Sequence, residues 1–258
     1  MKSTNSLALM VVTGALLINT ASLRASETDD RIEASAKKSY VFKTYLTEDS
    51  IKTESKNGVV TLTGTVNDAS HKSLAQDTVE GLPGVKSVDN KLTVKGESPA
   101  EHSDGWLSVK VKSALLFHRN VSATATDVFV KDGIVSLRGE ASSIAQKELT
   151  AEYAKDVEGI KEVKNEMTVA KTPAKPGETM GEKIDDASIT AQVKSSLLSH
   201  RSTSAIKTKV STTDGVVTIS GIAKNDAEKS LVTKLANDIN GVTSVINNMT
   251  IAVPMANN

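Results

Sequence analysis

No cysteine occurs anywhere in the 258 residues. That absence excludes disulfides, thiolate metal sites, a cysteine nucleophile and a lipid carried on an N-terminal Cys. Aromatic residues are scarce too, with three Phe, three Tyr and one Trp making up 3% of the chain. Any core must be filled by Val, Leu, Ile and Ala, and 38% hydrophobic residues suffice for that. An excess of one charge is also missing, because 31 basic side chains face 31 acidic ones. Neutralising phosphates takes a concentrated surplus of Lys and Arg, so a general nucleic-acid binder and a purely electrostatic membrane anchor are disfavoured. At about 100 to 200 residues per domain, the length allows one large domain or a few small ones.

The first residues read as an address. Lys2 precedes an apolar run from Leu7 to Ile18, and Ala21-Ser22-Leu23-Arg24-Ala25-Ser26 then supplies the small residues that signal peptidase prefers. The run is too short to cross a hydrocarbon layer of about 30 Å. Residues 1–25 are therefore expected to be a secretory signal removed after Ala25, the alternative being a retained anchor. Cleavage takes away Lys2 and Arg24 and leaves a slightly acidic mature chain. No later apolar segment is long enough to span a membrane. With no Cys to lipidate, the expected product is a soluble periplasmic protein, with secretion as the second choice.

Internal repetition then decides the architecture. Asn57-Gly58-Val59-Val60-Thr61-Leu62-Thr63-Gly64 lines up with Asp132-Gly133-Ile134-Val135-Ser136-Leu137-Arg138-Gly139 and with Asp214-Gly215-Val216-Val217-Thr218-Ile219-Ser220-Gly221. In each copy the two glycines are six apart, and a third follows twenty residues later at Gly84, Gly159 and Gly241. Val85-Lys86-Ser87-Val88-Asp89-Asn90-Lys91-Leu92-Thr93-Val94 and its counterparts, Ile160 to Val169 and Val242 to Ile251, continue the register. Three homologous domains are expected, over 29–95, 103–170 and 184–252. Polar, Pro- and Gly-bearing linkers occupy 96–102 and 171–183, and 253–258 forms a tail.

Each copy predicts helix, strand, strand, helix, strand. Apolar residues four apart mark the first helix: Ile32, Ala36 and Tyr40; Leu107, Val111 and Leu115; Ile189, Val193 and Leu197. Asp30, Asp104 and Asp186 are the N-cap candidates. A short strand is clear in Val128-Phe129-Val130 and in Ile206 to Val210 and faint around Ile51. The Asn-Gly or Asp-Gly pair then supplies a tight hairpin turn. In the next strand Val60 with Leu62, Val135 with Leu137, and Val217 with Ile219 point inward. Gly64, Gly139 and Gly221 share that parity, where a glycine would let a helix approach the sheet closely. The second helix starts near Ala69, Ser142 and Asp226, and Gly84, Gly159 and Gly241 serve as C-caps or turn residues. Asn90, Asn165 and Asn247 share the inward parity of the last strand and read as hydrogen-bonders to loop backbone rather than as ligands.

The Gly-Val-Val-x-Leu-x-Gly strand, a helix, and the Gly-Val-x-x-Val-x-Asn-x-Leu strand together resemble the BON domain, named for bacterial OsmY and nodulation proteins. The resemblance covers about residues 30 to 252 in three copies. It implies an α/β (α+β) unit of two helices on a three-stranded mixed sheet and a non-enzymatic periplasmic role of the OsmY-like kind. Lipoprotein relatives with two such domains bind anionic phospholipid, which implies phospholipid or envelope proteins as partners. This chain lacks the Cys those relatives lipidate.

No catalytic constellation emerges from the residues, and no cofactor or metal site. His71 and His102 are unrepeated. His118-Arg119 and His200-Arg201 fall at equivalent ends of the first helix, where the first copy has Lys43-Thr44. Cations there complement the helix dipole and its last carbonyls, or else contact a phosphate or headgroup. The glycines are hairpin and packing residues, not a phosphate loop, and the Gly-x-x-Gly loop that clamps RNA in KH domains is absent. The best surface clue is the first helix of the second copy. Beyond its core stripe it carries Trp106, Val109, Leu116 and Phe117 on the other side, with Lys110, Lys112 and Arg119 nearby. Such a face suits an interfacial lipid contact, with Trp106, Val109, Lys110, Leu116, Phe117 and Arg119 as candidates, or packing against a neighbouring domain. A protein-binding chaperone or scaffold remains the alternative to a lipid-associating module.

Overall fold

In a computed structural model, which describes residues 19–96, 100–170, 184–203 and 208–252, the turn pairs fix the strand layout. Asn57 and Gly58 take φ of 55° and 79°, Asp132 and Gly133 53° and 77°, and Asp214 and Gly215 51° and 76°. Two successive left-handed residues give the turn whose twist matches a hairpin. These turns join β1 (Ser50–Lys56) to β2 (Val59–Val66), β5 (Thr126–Lys131) to β6 (Ile134–Ala141), and β9 (Thr208–Thr213) to β10 (Val216–Ala223), all antiparallel. The expected strand at Ile51 is thus a full member of its sheet. Ile206 lies outside the described residues, as do the apolar run Leu7 to Ile18, the linker 171–183 and the tail 253–258.

The last strand of each copy lies parallel to the central one, so each sheet is mixed, but it comes in two pieces. These are β3 (Ser87–Asn90) and β4 (Thr93–Val94), β7 (Glu162–Asn165) and β8 (Thr168–Val169), and β11 (Ser244–Asn247) and β12 (Thr250–Ile251). The repeated Asn makes the break. The side-chain oxygen of Asn90 accepts from the N–H of Leu92 at 3.2 Å, while its amide donates to the carbonyl of Lys72 at 3.1 Å. Asn165 and Asn247 repeat both bonds. Each Asn thereby turns Leu92, Met167 or Met249 into the core and ties the sheet to the second helix.

The helices are α1 (Asn19–Lys38) with the short α2 (Tyr40–Thr44), and α3 (Ala69–Glu80), in the first domain. The second domain has α4 (Asp104–Leu116) and α5 (Ile144–Lys155), and the third has α6 (Asp186–Ser199) and α7 (Asp226–Asn237). The expected N-caps require correction. Asp30 lies inside α1, because helix-favouring Ala, Leu, Arg and Glu residues upstream carry that helix back to Asn19. The caps of α4 and α6 are Ser103 and Asp185, whose side chains accept from the N–H of Trp106 and Ser188. α5 is capped by Ser143, one residue beyond the expected start.

The core positions follow the periodicity. Ile32, Ala36, Leu107, Val111, Leu115, Ile189, Val193 and Leu197 are buried, as are Val60, Leu62, Val135, Leu137, Val217 and Ile219. Tyr40 is only half-buried, since the first helix breaks at Ser39, whose hydroxyl accepts from the N–H of Phe42, and Val41 takes the interior place. The role expected for Gly64, Gly139 and Gly221 also changes. They adopt φ of 119°, 120° and 139°, and a Cβ on Gly64 or Gly139 would meet the carbonyl oxygen of Ser50 at 1.8 Å or of Ala125 at 2.0 Å. The close neighbour is the chain that enters the hairpin's first strand, a single 3-10 turn ending at Ala125 in the second domain, and not one of the packed α-helices. Gly84, Gly159 and Gly241 are turn residues three positions beyond the helix C-caps Gly81, Asp156 and Asp238. They sit against Ile32, Leu107 and Ile189 of the first helices.

The three units share one helix. α6 buries Ile189, Val193 and Leu197 on its own sheet, yet Ala187, Ser188, Ala191, Gln192 and Ser196 on its other sides are buried as well. It packs on α3 of the first domain and on α4 of the second. Its small residues let the backbones come near: a Cβ on Gly81 would lie 3.1 Å from Ala187.

Candidate functional site

The second face of α4 divides between surface and joint. Trp106 is half-buried, its ring centroid 5.1 Å from that of His102, and the Lys110 ammonium sits 4.3 Å from the indole centroid. Burial lowers the pKa of Lys110, with Glu158 and Glu101 opposing the shift. Val109 and Leu116 are also half-buried. With Lys112 and Ser113 they line a groove of about 460 Å³ whose far wall includes Asp68 and His71 of the first domain. His71 is itself held by Asp49, with 2.6 Å between its Nδ1 and a carboxylate oxygen.

The other two candidates lie elsewhere. Phe117 is 2% exposed and packs edge-on against Tyr45 of the first domain, centroids 5.2 Å apart. Arg119 reaches into the third domain, where its Nη2 donates to the carbonyls of Asn237 at 2.5 Å, Ile239 at 2.7 Å and Val242 at 3.0 Å. Phe117 and Arg119 therefore take the interdomain-packing side of the alternative, while Val109 and Leu116 line the groove and Trp106 and Lys110 pair with each other on the same helix.

Arg119 belongs to a reciprocal arrangement between domains two and three. Its backbone N–H donates to the carbonyl of Asp238 at 3.0 Å, and the N–H of Arg201 donates to that of Asp156 at 2.9 Å. The Arg201 guanidinium meets the carbonyls of Val157 and Ile160 at 3.5 and 3.4 Å, the equivalents of Ile239 and Val242. His118 bridges to Ile239 and His200 to Val157. The cations do complement helix ends, but those of the other domain, α7 for Arg119 and α5 for Arg201. The first domain, with Lys43-Thr44 and Gly81 at these places, cannot form such a contact.

Both histidines are buried there. The His118 ring stacks on Tyr153 at 3.8 Å, and the Tyr153 hydroxyl donates to Asp238 at 2.6 Å. Desolvation lowers the pKa of His118 to about 4, against the pull of Asp238. In His200, Nδ1 accepts from the N–H of Ser202 at 3.1 Å. Its Nε2 is 3.4 Å from an Asp156 oxygen, ion-pair distance but not hydrogen-bond geometry. Burial lowers its pKa too, more than Asp156 raises it.

The first and third domains meet through Asp185, which accepts from the N–H of Tyr40 at 2.7 Å, and through Lys194, paired with Asp77 at 3.1 Å and Glu80 at 3.7 Å. These partners escaped sequence reasoning because a stripe of Ala, Ser and Gln carries no apolar signal. The repeated His-Arg, matched by a repeated Asp at Asp156 and Asp238, was the signal available. Among the described residues no group of three His, Asp or Glu side chains could hold a metal ion, and no helix is long and apolar enough to cross a membrane.

Comparison with known proteins agrees with the repeat. The model of the BON domain matches residues 28–96, 103–171 and 185–253. The chain is 35% identical over 146 residues to osmotically-inducible protein Y of Escherichia coli (strain K12), covering 57% of this chain and 71% of that protein. It is 35% identical over 118 residues to outer membrane lipoprotein DolP of Haemophilus influenzae, covering 45% of this chain and 61% of the relative. Among solved structures it overlaps CdsD, a structural protein of the type III secretion system of Chlamydia trachomatis, at 19% identity and a TM-score of 0.23, covering 86% of this chain and 92% of that one.

Proposed function

The chain belongs to the BON domain family, and from that membership we propose that it is a non-enzymatic periplasmic protein that associates reversibly with anionic phospholipid surfaces during osmotic or envelope stress. The names of two relatives, one osmotically inducible and one an outer membrane lipoprotein, support this setting. The observation that carries the reading is the half-buried Trp106 with the Lys110 ammonium over its ring, on the helix whose Val109 and Leu116 line the groove. An indole buries its apolar body at the level of lipid headgroups, and a lysine beside it keeps its charge at the polar boundary. No Cys is present to carry a lipid, and a contact made by such a face is reversible.

Trp106 is the only Trp, so its emission reports the contact directly. Adding vesicles that contain phosphatidylglycerol shifts the emission to the blue and brings the protein down on sedimentation, whereas pure phosphatidylcholine vesicles do so weakly. Trp106→Ser abolishes co-sedimentation. No shift and no co-sedimentation with anionic vesicles refutes the proposal. Suppression of client aggregation without lipid, in the same preparation, favours the chaperone or scaffold instead.

A further inference from the structure

His118 and His200 occupy the same place in successive copies, and each is inserted at the end of the other domain's second helix. They line one small cavity, together with Tyr153, Asp156, Ser196, Ser199 and Leu235. The charged and titratable groups around them are few. Asp238 faces His118 from α7 but is already bonded to the Tyr153 hydroxyl; Asp156 faces His200 from α5; Arg119 and Arg201 lie beside them in the chain and reach across the same joint. Nδ1 of His118 and Nε2 of His200 are buried without a hydrogen-bond partner.

We propose that the joint between the second and third domains is an acid-released latch, held closed by the neutral forms of His118 and His200 and opened when both are protonated. An imidazolium in this cavity is a desolvated cation beside two arginines. Protonating His200 at Nδ1 also removes the acceptor used by the N–H of Ser202. Because the two rings share one cavity, charge on one opposes charge on the other, and parting the domains rehydrates both at once. The first domain lacks the histidines, and its contact with α6 rests on the packing of α3 and on the bond from the Tyr40 N–H to Asp185 as well as on Lys194 with Asp77 and Glu80. Opening therefore parts the second domain from the third, while Phe117 against Tyr45 still ties the second domain to the first. The device is independent of any lipid contact at Trp106.

The cysteine-free chain accepts a spin-label pair at exposed, equivalent positions, Glu148→Cys on α5 and Ser230→Cys on α7. Pulsed electron resonance on the full chain is expected to give one narrow distance near neutral pH and a longer, broader distribution at about pH 4, with the helical circular dichroism unchanged. His118→Phe/His200→Gln, made in the labelled chain, is expected to stay closed at both. A wild-type distance that does not change, a double variant that opens at the same pH, or opening accompanied by loss of helix overturns the proposal. Should the double variant fail to fold, proton resonance titration of the two imidazoles in the parent chain decides. Depressed, coupled titrations support the latch, and two ordinary values near that of free imidazole exclude it.

Discussion

The carboxylate of Asp186 accepts hydrogen bonds from the N–H of Gly215 at 2.9 Å and of Asp214 at 2.8 Å, clamping the first turn of α6 onto the hairpin of its own sheet. Asp104 does the same for Asp132 and Gly133, and Asp29 for Asn57 and Gly58. The N–H groups of a left-handed turn have no partner in the ladder, so a carboxylate is the acceptor that suits them. These bonds hold Asp104 below the ordinary carboxylate pKa, and Asp29, helped first by the Ser55 hydroxyl, likewise. For Asp104 and Asp29 the stabilisation is therefore present above the ordinary value of 3.8 and is lost as pH falls below it. Asp186→Ala is expected to cost about 1 to 2 kcal/mol in urea unfolding at neutral pH. A loss no greater than that of an exposed Asp226→Ala would sink this account.

Backbone geometry gives a sharper contrast between two glycines. Gly139 has φ of 120° and no room for a Cβ, whereas Gly96 has φ of 69° and nothing within 4 Å. Gly139→Ala is expected to destabilise the protein by about 3 kcal/mol or more. Gly96→Ala is expected to cost about 1 kcal/mol, the left-handed conformation being its sole penalty. Equal melting temperatures for the two variants would contradict the close approach at Ala125.

Arg119 offers a test of the reciprocal joint. Arg119→Ala removes a guanidinium shared by three carbonyls and is expected to cost about 1 to 2 kcal/mol, with Arg119→Lys recovering little because a point charge cannot span them. Arg138 is the internal control, since it pairs at 2.7 Å with Glu166 on an exposed sheet surface, and its replacement by Ala is expected to cost under about 1 kcal/mol. If both arginines gave the same loss in denaturant titrations, the joint contact would contribute nothing of its own.

The pH dependence of stability follows from His118. Its folded pKa of about 4 lies below the ordinary 6.5. The contribution of its neutral burial is thus complete above pH 6.5 and fades as pH falls towards 4, with a ceiling of about 3 kcal/mol. Unfolding free energies of the parent chain and of His118→Phe, measured across this window, are expected to converge or cross in acid. Parallel curves would mean that His118 titrates normally in the folded protein.

What the sequence disclosed was everything that recurs with strand or helix period. Val60 with Leu62, and Leu107 with Val111 and Leu115, occupy the interior that their spacing demanded, and Asn57-Gly58 makes the turn that its chemistry demanded. Gly64 was legible as special but not for its reason, because strand parity reports which face a residue shares and not the sign of its φ. The interdomain contacts were mostly hidden. Ser188, Ala191 and Gln192 have the composition of a solvated face, and only tertiary packing shows that they are covered. Of the α4 candidates, Phe117 and Arg119 looked like companions of Trp106 on a helical wheel. The wheel fails at the end of the helix, where Phe117 is already the C-cap and the chain turns away.

The central position of α6 has a consequence for how the molecule comes into being. Residues 40 and 185 are bonded across 145 positions of chain, so the first domain is made, and can fold, long before the helix that covers its α3 exists. Until residues 186–199 emerge, Gly81 and its surroundings on α3 and the joint end of α4 face solvent, and synthesis from the N-terminus delivers the seal last. Chains halted before that point would carry two finished sheets and an uncovered flank, which makes the third repeat a lid on the assembly of the other two.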